Sequence, residues 1–238
     1  MNIKSCGFSP LVSSLSVGAA DRAFNDGASN DGVTNDGAAL SPARVNALAE
    51  AATSGGVLWL TGLSGAGKTT LAQASAACLR RRGTPTMVLD GDRLRNGLNR
   101  DLGFSERDRF ENVRRTAEVA ALFVEAGFVV IVAMISPLAA MREQARAAIG
   151  DAFREVYVSA SVDVCASRDP KGLYAKAYRG ELPEFTGVSS PYEPPAHAGL
   201  VLDTARCGID ACVDALLRFA TDAFGRDSDA APEMHGHR

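Results

Sequence analysis

Along the chain, short apolar runs alternate with longer stretches in which apolar residues recur every three or four positions. Val57 to Thr61 is a run of the buried-strand kind, and it leads through a glycine-rich segment into a helix reaching about Arg82. Thr86 to Asp90 and Phe128 to Met134 read as the next two strands. Between them, Phe110, Val113, Ala117, Ala120 and Val124 predict a helix over 106–126, with Ser105 as cap and Gly127 as stop. Leu138 to Ile149 reads as a further helix, Val156 to Val158 and Leu200 to Leu202 as two more strands, and Ile209 to Phe224 as a closing helix. Strands alternating with helices predict an α/β fold: a mainly parallel sheet with right-handed crossovers and helices on both faces.

The folded domain is expected over 41–225, opening with a short helix in which Ser41 caps and Pro42 takes the first position. Residues 22–40 repeat Asn-Asp-Gly three times, a turn-prone pattern poor in core residues, so 1–40 is expected to be a disordered tail and 226–238 another. A calcium loop is the competing reading of the repeats, but the EF-hand spacing and its terminal Glu are missing. Inside the domain, Asp169 to Pro195 is polar, rich in Gly and Pro, and long for a connector, as functional lids and disordered segments are.

Composition narrows the partners. Hydrophobic residues make up 46% of the 238 and charged residues 22%, as in soluble globular proteins. The formal net charge of −3 is too balanced for nonspecific attraction to nucleic acid or anionic membrane, so an anionic ligand must be held by a local site. No apolar run is long enough to span a bilayer, since Val119 to Ile135 is interrupted by Glu125 and Gly127. Five cysteines without a C-x-x-C pair read as reduced thiols of a cytoplasmic protein.

Gly62-Leu63-Ser64-Gly65-Ala66-Gly67-Lys68-Thr69 matches G-x-x-x-x-G-K-[ST] at every fixed position, directly after a strand and opening a helix. Its glycines let backbone N–H groups surround phosphate oxygens, Lys68 places charge on the β- and γ-phosphates, and Thr69 can ligate Mg²⁺. A nucleoside triphosphate with Mg²⁺ is therefore expected. Asp90-Gly91-Asp92 sets two carboxylates at the carboxyl edge of the sheet, where ligands of open α/β folds bind. One acid there can serve the metal and the other an acceptor hydroxyl, although Asp92 is also placed to cap a helix. Arg93, Arg95, Arg100, Arg107, Arg109, Arg114 and Arg115 follow closely. They form either a solvated charged face or a set of forked donors for a phosphate- or sulfate-bearing acceptor.

With these residues in view, the chain from about Gly56 to Thr204 closely resembles the adenylyl-sulfate kinases, P-loop enzymes that phosphorylate the 3′-hydroxyl of adenosine 5′-phosphosulfate (APS) to give 3′-phosphoadenylyl sulfate. The matching segments are GLSGAGKTT at 62–70, LDGDRLRNGLNRDLGFSERDRFENVRR at 89–115, ISP at 135–137, RDPKGLYAKAYRGELPEFTGVSSPYEPP at 168–195 and LDT at 202–204. The resemblance implies that residues 62–70, including Thr70, bind ATP together with Arg168 and Lys171, and that Asp92 acts on the acceptor hydroxyl beside Asp90. It further implies that Arg95, Arg109 and Asn112 hold the phosphosulfate nucleotide, that Phe104 and Phe185 stack on its adenine, and that Lys171 also reaches the acceptor. Both phenylalanines have an ordinary alternative as core residues. Ile135 and Ser136 match positions near the acceptor, Ser136 being the serine described in the family as phosphorylated; in-line transfer needs no such phosphoenzyme. Lys176 matches the lid, and the resemblance implies a homodimer. The chain departs from the family at Met134, where an aromatic residue is usual, and at 138–141, which lack the usual tyrosine or basic residue. Two other readings compete: a kinase for another small hydroxylated acceptor, and an inactive nucleotide-binding regulator. The second would be marked by loss of Lys68, Asp92 or the lid lysines, and none is lost.

Overall fold

The computed structural model describes residues 55–225; the expected helix at 41–52, the Asn-Asp-Gly repeats, Cys6 and the C-terminal segment lie outside the described residues. Strands β1 (Gly56–Thr61), β2 (Thr86–Asp90), β3 (Val129–Ala133), β4 (Phe153–Ser159) and β5 (Leu200–Asp203) form one sheet in the order β2-β3-β1-β4-β5. Every pairing is parallel, as expected for strands joined by helical crossovers.

The central strand β1 has no hydrophilic side because it is covered twice. Leu58 and Leu60 pack with Leu71, Ala72 and Leu79 of α1 (Lys68–Arg81) and with Leu216 and Phe224 of α7 (Ile209–Phe224). Val57 and Trp59 face the other way, into Val113, Ala117 and Ala120 of α3 (Glu106–Glu125) and Met141 and Ala145 of α4 (Ala139–Ile149). Burial on both faces explains why this strand reads as a continuous apolar run rather than an alternating one.

The long helices and strands β1, β2, β3 and β5 match the expectations closely, whereas β4 and the shortest helices do not. Strand β4 begins three residues earlier than its apolar core suggests, because Arg154 and Glu155 interrupt the apolar run while Glu155 itself is buried among basic partners. Three short helices carry no periodicity of their own: α2 (Gly91–Arg95), α5 (Val162–Arg168) and α6 (Leu173–Tyr178). Helix α6 lies within the expected lid; the Asp169 carboxylate accepts the Leu173 and Ala175 amides at 2.8 and 3.1 Å and so winds its first turn. All crossovers leave from the carboxyl edge of the sheet, so the loops following β1, β2, β3 and β5 gather at that edge.

Candidate active site

The loop between β1 and α1 turns through Gly62 (φ 149°), Gly65 (φ 78°) and Gly67 (φ 101°). A Cβ on Gly62 would lie 2.4 Å from the Val158 carbonyl oxygen, and one on Gly65 would lie 2.9 Å from that of Cys165, so close approach as well as backbone conformation demands glycine there. No side chain caps α1, which leaves its first N–H groups for a ligand. Lys68 Nζ donates to the Gly62 and Leu63 carbonyls at 2.8 and 2.7 Å. Burial pushes this ammonium down to about 8, against the partial opposition of nearby Asp92 and Asp90.

The two acids after β2 take separate tasks. Asp90, not Asp92, caps α2: its Oδ1 accepts the Asp92 and Arg93 amides at 3.0 and 3.2 Å. Its Oδ2 accepts the Thr69 hydroxyl at 2.7 Å. Thr69 and Asp90 thus bring two hard oxygen donors together. Hard oxygen donors of this kind fit Mg²⁺, with the rest of its shell left to phosphate oxygens and water. Asp92, released from capping, is exposed and ion-paired with Lys171 of the lid.

The arginines divide into two populations. Arg114 and Arg115 are tied to Glu111, Glu118 and Asp101 on the solvent side of α3, where they hold the Glu111 carboxyl down to about 2. Arg95 and Arg109 make no ion pair among the described residues and donate only to main-chain carbonyls, Arg95 to Leu102 and Gly103, Arg109 to Phe104 and Glu184. Their guanidinium carbons lie 4.5 and 5.7 Å from the centre of the Phe104 ring. Burial, and after it the charge of Arg109, lowers the Arg95 pKa; burial lowers that of Arg109 too. Two neighbouring guanidinium groups with no close ion pair among the described residues suit an anionic ligand, with Asp92 and Asp108 acting on Arg95, and Glu184 on Arg109, only at longer range. Phe104 is 61% exposed, which excludes a core role, whereas Phe185 is partly buried and meets Tyr174 edge-on at 5.0 Å. Buried Asn112 accepts from Asn99 through Oδ1 at 2.7 Å, leaving its amide nitrogen to donate elsewhere.

One cavity of about 890 Å³ is lined by every residue that the resemblance assigned to ATP or the acceptor except Gly62 and Leu63; Lys176 of the lid does not reach it. Gly62 and Leu63 contribute carbonyls to Lys68 instead. Of the seven arginines after β2, only Arg95 and Arg109 reach this cavity.

The model of the adenylylsulphate kinase family matches residues 54–203. The chain belongs to this family. The adenylyl-sulfate kinase of Geotalea uraniireducens is 56% identical over 164 residues, which cover 68% of this chain and 79% of that one. The enzyme of Paraburkholderia xenovorans is 55% identical over 166 residues, covering 70% and 93%. Among solved structures, the APS kinase of Mycobacterium tuberculosis in complex with AMPPNP and APS is 45% identical, with a TM-score of 0.68 over 70% of this chain and 98% of that one. This adenylylsulphate kinase family member is accordingly an ATP-using P-loop phosphotransferase with an alcohol group as acceptor.

The family member's site is also held by contacts that no spacing in the sequence registers. Arg168 donates to the Gly65 carbonyl at 3.3 Å and to the Thr204 carbonyl at 2.6 Å, while the Thr204 hydroxyl donates to Ala66 at 2.8 Å. The Tyr174 hydroxyl donates to the Ser64 carbonyl at 3.0 Å, so the lid clasps the phosphate loop directly. Thr186 borders the cavity, and among the described residues its buried hydroxyl has no hydrogen-bond partner. Ser136 is 3% exposed and adopts φ 37°, a conformation costing about 1–3 kcal/mol in a residue other than glycine. Its Oγ accepts from Trp59 Nε1 at 3.1 Å, an engagement that suits a structural hydroxyl better than a phosphoryl carrier. Arg168, Tyr174, Ser136 and Thr204 stand in segments that carry the resemblance, but the partners that fix their roles lie far away in sequence. Cys78, Cys165, Cys207 and Cys212 are free thiols, and among the described residues no helix is long and apolar enough to cross a membrane.

Proposed function

We propose that this chain is an adenylyl-sulfate kinase whose phosphate loop holds ATP while Arg95, Arg109, Asn112, Phe104 and Phe185 hold APS. The observation that carries the reading is the unpaired Arg95 and Arg109 around an exposed aromatic ring, in the same cavity as Lys68. A base stacks on an aromatic face without needing a particular hydrogen-bond pattern, and the guanidinium groups complement the phosphosulfate. Asp92 takes the proton of the 3′-hydroxyl, whose oxygen forms a bond to the γ-phosphorus as the bond to the β–γ bridging oxygen breaks and ADP leaves. Its ion pair with Lys171 is the contact through which lid closure carries positive charge toward the transferring group. Thr69 and Asp90 would hold Mg²⁺, which when bound neutralises charge developing on the phosphates. Ser136 serves the acceptor through the cavity wall, and transfer is direct.

The same reading makes 41–225 the kinase domain, expected to be active without residues 1–40, and takes the assembly as a homodimer in the cytoplasm. An initial-rate assay with ATP, Mg²⁺ and APS, coupled to ADP release, tests the proposal. The expected result is ADP formation matched by 3′-phosphoadenylyl sulfate; ADP release without that product overturns it. A kinase for a different small hydroxylated acceptor is disfavoured because neither an exposed aromatic ring nor two arginines gathered around it serves a neutral polyol.

A further inference from the structure

The Ile135–Ser136 segment walls part of the cavity in a conformation that its own residues disfavour, with Ser136 left-handed at φ 37°. Such outliers persist where the surroundings over-determine them. Here the surroundings come from four elements. From β1, Trp59 Nε1 donates to Ser136 Oγ at 3.1 Å, and Thr61 Oγ1, on the same face two residues later, donates to the Ile135 carbonyl at 2.6 Å. With the Thr61 hydrogen committed there, the Tyr192 hydroxyl is the donor in its 3.0 Å contact with Thr61. From α4, Arg142 Nη1 donates to the Ser136 carbonyl at 2.9 Å, while its Nε pairs with Glu155 of β4 at 2.6 Å.

The Arg142 and Glu155 side chains are only 4% and 8% exposed. A buried ion pair is a weak source of stability, because desolvation of both charges offsets their attraction, so stability alone does not account for one set directly behind a strained active-site turn. None of Trp59, Thr61, Arg142, Glu155 and Tyr192 lines the cavity, so they reach a ligand only through the segment they hold. They engage both carbonyls and the hydroxyl of Ile135 and Ser136. Among the described residues neither amide of that pair has a protein acceptor, which leaves both N–H groups unengaged where the segment borders the cavity.

We propose that Trp59, Arg142 and Glu155 are positioning residues for the acceptor nucleotide, locking Ser136 in its left-handed turn so that the Ile135–Ser136 amides stay registered against it. This inference rests on the acceptor reading above. The phosphate loop is held by other contacts, so the effect is specific to one substrate.

The test uses Arg142→Lys and Trp59→Phe in the full chain, with APS and ATP varied separately and binding of a non-hydrolysable ATP analogue measured without acceptor. Displacing a positioned wall should raise the KM for APS about ten- to a hundredfold, with the KM for ATP and the analogue Kd held within about twofold. Ser136→Gly, added to Arg142→Lys, should recover part of the APS KM, because glycine takes positive φ without strain. A merely structural ion pair would not be rescued from position 136. An unchanged APS KM in a folded variant, a parallel rise in both KM values and the analogue Kd, or no rescue by Ser136→Gly would each overturn the inference. Should Arg142→Lys prove insoluble, Tyr192→Phe, which removes only a hydroxyl, is read by the same criteria beside Trp59→Phe. Failure of the parent chain to use APS at all is a different result, and counts against the acceptor reading.

Discussion

Lys68 shows how a single residue can serve opposed demands. The phosphates need its charge, yet the folded loop buries it and lowers its pKa to about 8. At pH 7 the ammonium is charged in both the folded and the unfolded chain, and the folded state bears the whole burial cost. Between about pH 8 and the ordinary lysine value, the unfolded chain binds more protons, so stability rises with pH as that cost disappears. The stability of Lys68→Met relative to the parent should therefore fall as the pH is raised from 7 to 10, by up to about 3 kcal/mol, with transfer lost throughout. Thermal melts of both proteins across that range check this; a pH-independent difference would show that the charge is not buried at cost. Asp92→Asn should keep ATP binding yet lower turnover about a hundredfold or more, the usual scale for removing a positioned acid or base, as steady-state rates beside an ATP-analogue titration would reveal. The arginines are separable in the same way. Arg109→Lys should raise the KM for APS, since the ammonium loses the planar fork. Arg114→Gln should change it little, because exposed ion pairs such as Arg114–Glu111 are worth no more than about 1 kcal/mol. The phosphate loop was legible because its chemistry is local in sequence. The division among the arginines was not, since it depends on which helix face meets the cavity, and the roles of Thr186, Trp59 and Arg142 depend on partners beyond any local pattern.

At the scale of elements, strands and long helices could be read because burial imposes a period of two or 3.6, or a continuous apolar run. The segments that close over the site lack that signal. Helix α6 has six residues and depends on the Asp169 carboxylate, which no periodicity registers. Its position makes the lid a structured clasp: Tyr174 and Arg168 reach the carbonyls of consecutive phosphate-loop residues, Ser64 and Gly65. Tyr174→Phe removes one of these links while keeping the ring against Phe185. Loss of a single neutral hydrogen bond, worth about 0.5–1.5 kcal/mol, should weaken binding of an ATP analogue roughly two- to tenfold with little change in melting temperature. Isothermal titration checks the outcome, and unchanged affinity would relegate the Tyr174 hydroxyl to packing. The extra residues at the start of β4 follow the same logic in reverse, since two charged residues hid the strand although Glu155 is buried against Arg142 and Arg146 of α4.

For the whole molecule, a nearly neutral chain binds two anionic nucleotides by concentrating positive charge at one edge of a parallel sheet. The donor end of the cavity is common to P-loop kinases, so the central claim concerns the acceptor end, where Arg95, Arg109 and Phe104 stand together. Adenosine 5′-monophosphate carries the same adenine and ribose as APS but no sulfate. The decisive measurement is therefore the initial rate of 3′-phosphorylation of the two nucleotides at matched concentrations, with ATP and Mg²⁺ saturating. The account predicts rapid transfer to APS and poor transfer to the monophosphate, with that gap narrowed in Arg109→Lys. A parent enzyme that prefers the monophosphate, or does not distinguish the two, would contradict it.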